Sequence, residues 1–82
     1  MPESIENRAL VLLESFKGKL PSDEFEDIRE LIAAGEWGVA LENLCQQLYE
    51  HDILVDAATL ERIRNLAQHM HLPPKTWQFL AT

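Results

Sequence analysis

Apolar residues recur along the whole chain at the three- and four-residue spacing of amphipathic α-helices. The first such stripe predicts a helix over about residues 3–17. Gly18 can adopt the left-handed conformation that ends a helix, and Pro21 prevents the helix from continuing. The stripe of this first helix consists of Ile5, Ala9, Leu12, Leu13 and Phe16.

The same spacing predicts a second and a third helix in the middle of the chain. Ser22 is expected to act as the N-cap of the second helix, and Gly35 is expected to end it. The third helix begins near Trp37 and ends between Tyr49 and Asp52. The second stripe consists of Phe25, Ile28, Leu31 and Ile32, and the third of Trp37, Ala40, Leu41, Leu44 and Leu48.

The last third of the chain predicts one more long helix and a short ending. Asp56 is expected to cap the fourth helix, and residues 53–55 form a connection whose apolar side chains pack against the core. Pro73 and Pro74 break the pattern, and residues 75–80 predict a short helix or turn. In that turn Trp77 and Phe79 either close the end of the bundle or form an exposed apolar contact. The fourth stripe consists of Leu60, Ile63, Leu66, Ala67 and Met70.

No segment shows the polar–apolar alternation of a strand, so the predicted fold is all-α. We expect a compact bundle of about four helices with a short C-terminal helix or turn, in a single domain over residues 1–82. The 46% hydrophobic and 26% charged content is ordinary for a globular protein. The longest apolar run spans five residues, whereas a membrane helix needs about 20. The N-terminus lacks the basic and apolar regions of a signal peptide, so a cytoplasmic location is predicted.

Negative charge is concentrated in the middle of the chain. Fourteen acids and seven bases give a net charge of −7. Residues 1–20 are neutral, residues 21–56 carry −9 with Arg29 as their one base, and residues 57–82 carry +2. An acidic chain lacks the basic footprint of a protein that binds nucleic acid or an anionic membrane directly. It is compatible with a basic protein partner.

The acids of the second helix lie mainly opposite its apolar stripe, which makes this face one-signed. Like charges at helical spacing repel, so we interpret the face as a surface that attracts a basic partner, with a solvated surface as the alternative. Tyr49 lies on the same side of the third helix as Glu42 and is interpreted either as an interface anchor or as a partly buried core residue. The predicted partner-binding residues are Asp23, Glu24, Glu26, Asp27, Glu30, Glu42, Tyr49 and Glu50.

Catalytic, metal and cofactor sites are not predicted. The spacing of His69 and His71 points their side chains apart, and His51 adds no ligand pattern. Cys45 lies near the third stripe and is expected to be a small buried residue, since no base is paired with it. No glycine-rich phosphate loop or other catalytic motif occurs, so the chain is predicted not to be an enzyme.

The segment from Gly35 to Asp52 resembles the MafI family of small bacterial immunity proteins. The resemblance consists of Gly-Glu-Trp-Gly at 35–38, Ala-Leu-Glu-Asn-Leu-Cys at 40–45 and Leu-Tyr-Glu-x-Asp at 48–52. A capped helix through Ile63 and Met70 follows, and the likeness covers about residues 8–72.

This resemblance implies a cytosolic immunity protein that neutralises a toxin used in contact-dependent competition between bacteria. Toxins of this group are commonly nuclease domains, including tRNA-cleaving ribonucleases of the EndoU type. The expected partner is therefore a basic toxin domain, whose RNA site the acidic protein would occlude. The alternative is an all-α adaptor that docks in a regulatory or secretion complex without inhibiting anything.

Overall fold

The computed structural model describes residues 4–81, which form four α-helices and two short 3₁₀ turns without a strand. The helices are α1 (Ile5–Glu14), α2 (Ser22–Ala33), α3 (Trp37–Glu50) and α4 (Ala57–His69). The 3₁₀ turns follow at Pro74–Thr76 and Gln78–Ala81. The predicted all-α bundle with a short C-terminal turn is confirmed.

All four helices contribute to one hydrophobic core. Helix α2 packs against α3, α1 contacts the other three helices, and the 3₁₀ turns lie against α3 and α4. The predicted stripes face this core, although five of their members are only half-buried at its edge (Ile5, Leu31, Trp37, Leu60 and Met70). The fully buried large side chains are Leu12, Leu13, Ile32, Leu48, Ile63 and Leu66.

Helix α1 ends three residues earlier than predicted, and its predicted start at residue 3 lies outside the described residues. Ser4 caps it by accepting a hydrogen bond from the Asn7 N–H at 3.1 Å. At the other end the Ser15 hydroxyl donates to the Leu12 carbonyl at 2.6 Å. The next amides bond three residues back rather than four, so the α-helix ends at Glu14 and tighter turns continue to residue 19. Gly18 has φ +86°, the left-handed conformation predicted for it.

The predicted N-cap of α2 is wrong by one residue. The Pro21 carbonyl accepts from the Phe25 N–H at 2.9 Å, so Pro21 is the N-cap and Ser22 is already helical. A side-chain cap at Ser22 would have needed that same N–H, which the backbone carbonyl has taken. The Asp56 cap of α4 is confirmed, because its Oδ1 accepts from the Thr59 N–H at 2.7 Å.

Helices α2, α3 and α4 all end in the same hydrogen-bonded motif. One residue after each helix cap has a positive φ, and the following amide bonds to a carbonyl five residues back. The positive-φ residues are Gly35 (81°), Asp52 (54°) and His71 (59°). Asp and His adopt this conformation at a cost that glycine avoids, so the ends of α3 and α4 are locally strained.

The connection between α3 and α4 departs from its prediction at one residue. Ile53 and Val55 pack against the core as expected. Leu54 was predicted to pack there too, but 88% of it is exposed. A segment without helical turns points successive side chains to opposite sides, so burying Ile53 and Val55 turns Leu54 outward.

Candidate protein-binding surface

Three carboxylates of α2 form a free, one-signed face. Asp23, Asp27 and Glu30 are exposed on the side of α2 opposite its buried residues. Within residues 4–81 none of the three side chains takes part in a hydrogen bond or an ion pair. We call these three residues the acidic face, because their charge is directed to solvent and is not used inside the fold.

Glu26 lies at the edge of this face beside the one base of α2. Its Oε1 is 3.4 Å from Nη1 of Arg29, and both side chains are more than half exposed. An exposed pair of this kind contributes little to stability, about 0–1 kcal/mol. The pair leaves the negative character of the acidic face unchanged.

Glu24, also predicted to bind a partner, is engaged within the protein. Its Oε2 lies 2.8 Å from Nε2 of His51, just beyond the end of α3. The Gln47 amide, with its nitrogen toward Glu24, donates to the two carboxylate oxygens at 2.6 and 2.9 Å. These contacts join the start of α2 to the end of α3, so the two helices run antiparallel.

Trp37 holds the other end of the same helix pair. Its indole Nε1–H donates to the Ile32 carbonyl at 3.2 Å, and its ring packs against the core as predicted. Helices α2 and α3 are thus tied at both ends. The acidic face is therefore presented on a fixed scaffold.

The predicted residues of α3 lie on different sides of the helix. Glu42 and Tyr49, seven positions apart, are separated by only about 20° around the axis, whereas Glu50 lies about 100° from Tyr49. Glu24 contacts the α2 side of α3 through Gln47 and His51. Tyr49 contacts Phe79 of the last 3₁₀ turn instead. The structure therefore does not bring Tyr49 together with the acidic face, although both are accessible.

Tyr49 forms one wall of a cleft that the sequence did not predict; its lining residues are mainly hydrophobic, but about half of its exposed surface is polar. Its ring meets that of Phe79 edge to face, with 5.3 Å between the ring centroids, and 59% of the residue is exposed. This exposure excludes one of the two interpretations of Tyr49, namely that it is a partly buried core residue. We call the space beside it the Tyr49 cleft; it has a volume of about 590 Å³. Its principal lining residues are Leu48, Tyr49, Asp52, Leu54, Phe79 and Leu80.

The Tyr49 cleft differs in charge from two other surface clefts. A cleft of about 380 Å³ between α1 and α4 is lined by Arg8 and Arg62. Another of about 390 Å³, between α1 and α2, is lined by bases and acids together. Among the described residues that line the Tyr49 cleft, Asp52 carries the only charge. This cleft could not be predicted from residue spacing, because its walls come from three separate segments.

Cys45, a residue of α3, is fully buried, as predicted. Burial raises the pKa of its thiol to about 12, and the nearby negative charge of Glu42 adds to that shift. The side chain therefore stays a neutral thiol at physiological pH. Within residues 4–81, no three His, Cys, Asp or Glu side chains are grouped so that they could hold a metal ion.

Asp56 shows how the α4 cap affects a carboxyl group. Hydrogen bonds from Thr59 hold its pKa below the ordinary value, and the positive charges of Lys19 and Arg62 lower it further. This acid is therefore used at a helix terminus and lies next to basic residues. It does not extend the acidic face.

Comparison of the chain with protein-family models, curated proteins and solved structures gave no match. Among the helices within residues 4–81, none has the length and apolar character needed to cross a membrane. The features of the described surface include unpaired carboxylates, a helix pair tied at both ends and a cleft lined mainly by hydrophobic residues. These features suit recognition of another macromolecule.

Proposed function

We propose that this protein is an immunity protein that binds and neutralises a cognate bacterial toxin. The observation that supports this most is the acidic face, whose three carboxylates have no partner within the described part of the chain. The resemblance of residues 35–52 to the MafI family suggests the same function. The proposed toxin is a nuclease domain, such as a tRNA-cleaving ribonuclease of the EndoU type, met in the cytoplasm.

The proposed mechanism is occlusion of the toxin's basic RNA site. A ribonuclease must present positive charge to RNA phosphates, and the acidic face offers carboxylates to the same charges. Opposite charges on two proteins raise their association rate, up to about 10⁸–10⁹ M⁻¹s⁻¹ at low salt. Rapid capture protects a cell in which every free toxin molecule cleaves RNA. The protein itself performs no catalysis in this mechanism.

A growth assay tests the proposal. The chain is co-expressed with the toxin encoded next to it, and growth is compared with that of cells expressing the toxin alone. Growth that depends on this chain supports the immunity function. Growth arrest despite soluble expression of both proteins contradicts it and favours the adaptor alternative.

The part played by the acidic face is tested by changing Asp23, Asp27 and Glu30 together to Ser. Because none of the three has an internal partner, the Glu24–His51 contact and the apolar stripe stay intact. Folding should be retained, because the relief of like-charge repulsion along α2, a few tenths of a kcal/mol per pair, offsets the loss of the favourable charge of Asp23 in the first turn of the helix. Association with the toxin should slow at least tenfold at low salt, and its dependence on salt should flatten.

The matched control removes three other carboxylates, by changing Glu6, Glu14 and Glu61 to Ser. These residues lie on α1 and α4, so the net charge changes equally while the acidic face is kept. Glu61 also pairs with Arg64, an exposed contact whose loss costs about 0–1 kcal/mol, so folding of the control is checked alongside. Stopped-flow association is measured for both variants at two salt concentrations. Equal slowing in the two variants would show that total charge, and not this face, attracts the partner.

A further inference from the structure

On the basis of the function proposed above, we propose that the Tyr49 cleft binds a large apolar side chain from a basic segment of the partner protein. The cleft is a second contact region, separate from the acidic face. It would hold the partner after charge has brought the two proteins together.

The exposed apolar residues of the protein point to this cleft. Four large hydrophobic residues are described as exposed, and the two most exposed of them, Leu54 (88%) and Tyr49 (59%), line the same cleft. A single exposed leucine is ordinary, but grouped apolar side chains around a concave surface are typical of interaction sites. Of the three clefts described above, this one has the largest volume, about 590 Å³ against about 380 and 390 Å³.

The cleft is built on fixed elements and is largely pre-formed. Leu48, at its base, is fully buried in the core. Ile53 donates its amide N–H to the Leu48 carbonyl at 2.9 Å, which fixes the path of the chain that carries Leu54. On the other side, Phe79 packs against both the core and the Tyr49 ring. Little ordering is required when a ligand enters, which favours binding.

The charge around the cleft selects a basic occupant. Asp52 is the one charged residue among the described lining residues, whereas the α1–α4 cleft is lined by two arginines and the α1–α2 cleft by two bases and two acids. A second copy of this chain is disfavoured, because two molecules of net charge −7 repel each other. An apolar side chain flanked by Lys or Arg could contact the hydrophobic lining residues while the flanking base pairs with the Asp52 carboxylate.

A defined peptide tests the chemistry of the cleft without requiring the toxin. The probe is acetyl-Lys-Lys-Leu-Trp-Lys-Lys-amide, titrated into the ¹⁵N-labelled full chain. One control peptide replaces Leu-Trp by Ser-Ser, and another replaces each Lys by Glu. The probe should shift the amides of residues 48–55 and 79–81 and saturate, with at least tenfold weaker binding of both controls. Equal binding of the Ser-Ser peptide, or shifts confined to the acidic face, would overturn the proposal.

A variant of the protein provides the second arm. Leu54→Ser removes the most exposed wall of the cleft without touching the core and should weaken probe binding at least fivefold. Val11→Ser is the matched control, because Val11 is also exposed (53%) but lies on α1, where it lines the cleft between α1 and α4. It should leave binding unchanged, and equal weakening by the two substitutions would refute the assignment.

The peptide assay and the growth assay test the two proposals independently, so either proposal can be refuted without the other. Cleft binding of the probe combined with no protection from the toxin supports the cleft and removes the immunity function. Protection that persists in cells, with no probe binding at the cleft, supports the immunity function and removes the cleft.

Discussion

Raising the pH should destabilise the fold through Cys45. The thiol is fully buried, and burial followed by the charge of Glu42 raises its pKa from 9.0 to about 12. The unfolded chain therefore releases this proton near pH 9, whereas the folded chain holds it until about pH 12. Because the folded pKa is the higher one, the contribution to stability is complete below pH 9 and is lost as the pH rises towards 12.

The size of the loss follows from this difference in pKa. Each pH unit between the two pKa values costs about 1.4 kcal/mol of unfolding free energy. The loss should therefore be about 1 kcal/mol at pH 10 and about 3 kcal/mol at pH 11. A domain of this size is stable by roughly 4–12 kcal/mol, so the second value is a substantial fraction of the total.

Urea unfolding followed by tryptophan fluorescence measures the effect between pH 7 and pH 11, in the presence of a reductant. Cys45→Ala is the control, since it removes the titrating thiol and keeps every other titrating group. The difference between parent and variant should shrink by the amounts calculated above. Parallel stability curves, or rapid reaction of the native thiol with an aromatic disulfide at pH 8, would refute the buried neutral thiol.

Three substitutions test the backbone features of the fold, each by urea unfolding. Asp52→Gly should stabilise the protein by about 1 kcal/mol, because it relieves a positive φ of 54° and removes a negative charge at the C-terminus of α3. Gly35→Ala is its control and should destabilise by a similar amount, since nothing lies within 4 Å of an added Cβ and only the φ of 81° resists it. Gly38→Ala should stabilise by up to about 1 kcal/mol, because its new methyl would meet Leu72 at an ordinary 3.6 Å; a loss of stability would contradict open packing there.

The sequence predicted the number and order of the helices because each stripe repeats over about two to three helical turns. Prediction failed where neighbouring groups compete for one hydrogen bond. At Ser15 a hydroxyl takes the Leu12 carbonyl and α1 ends early, and at Phe25 the Pro21 carbonyl takes the N–H expected for Ser22. Both outcomes depend on geometry within a single turn, which residue spacing does not specify.

Some features of the candidate site could also be predicted from the sequence, and others could not. The exposure of the acidic face follows from helical spacing alone, so it could be predicted. The engagement of Glu24 could not, because His51 lies 27 positions further along the chain and meets it only after α2 and α3 have packed. The Tyr49 cleft could not be predicted either, because its walls meet only after separate segments have packed. One part of it was predictable: alternation along residues 53–55 indicates that Leu54 points outward.

The distance between the two proposed contact regions is compatible with one partner. The acidic face lies on α2 and the Tyr49 cleft lies beyond α3, so about one helix diameter of 10–12 Å separates them. A standard interface covers about 800 Å² on each protein, or about 28 Å across, and the whole molecule measures 33 × 26 × 20 Å. A partner that reaches both regions must cover the outward side of α3, where Val39, Asn43 and Gln46 are exposed. The acidic face would then set the association rate of the partner, and contacts in the Tyr49 cleft would set its dissociation rate.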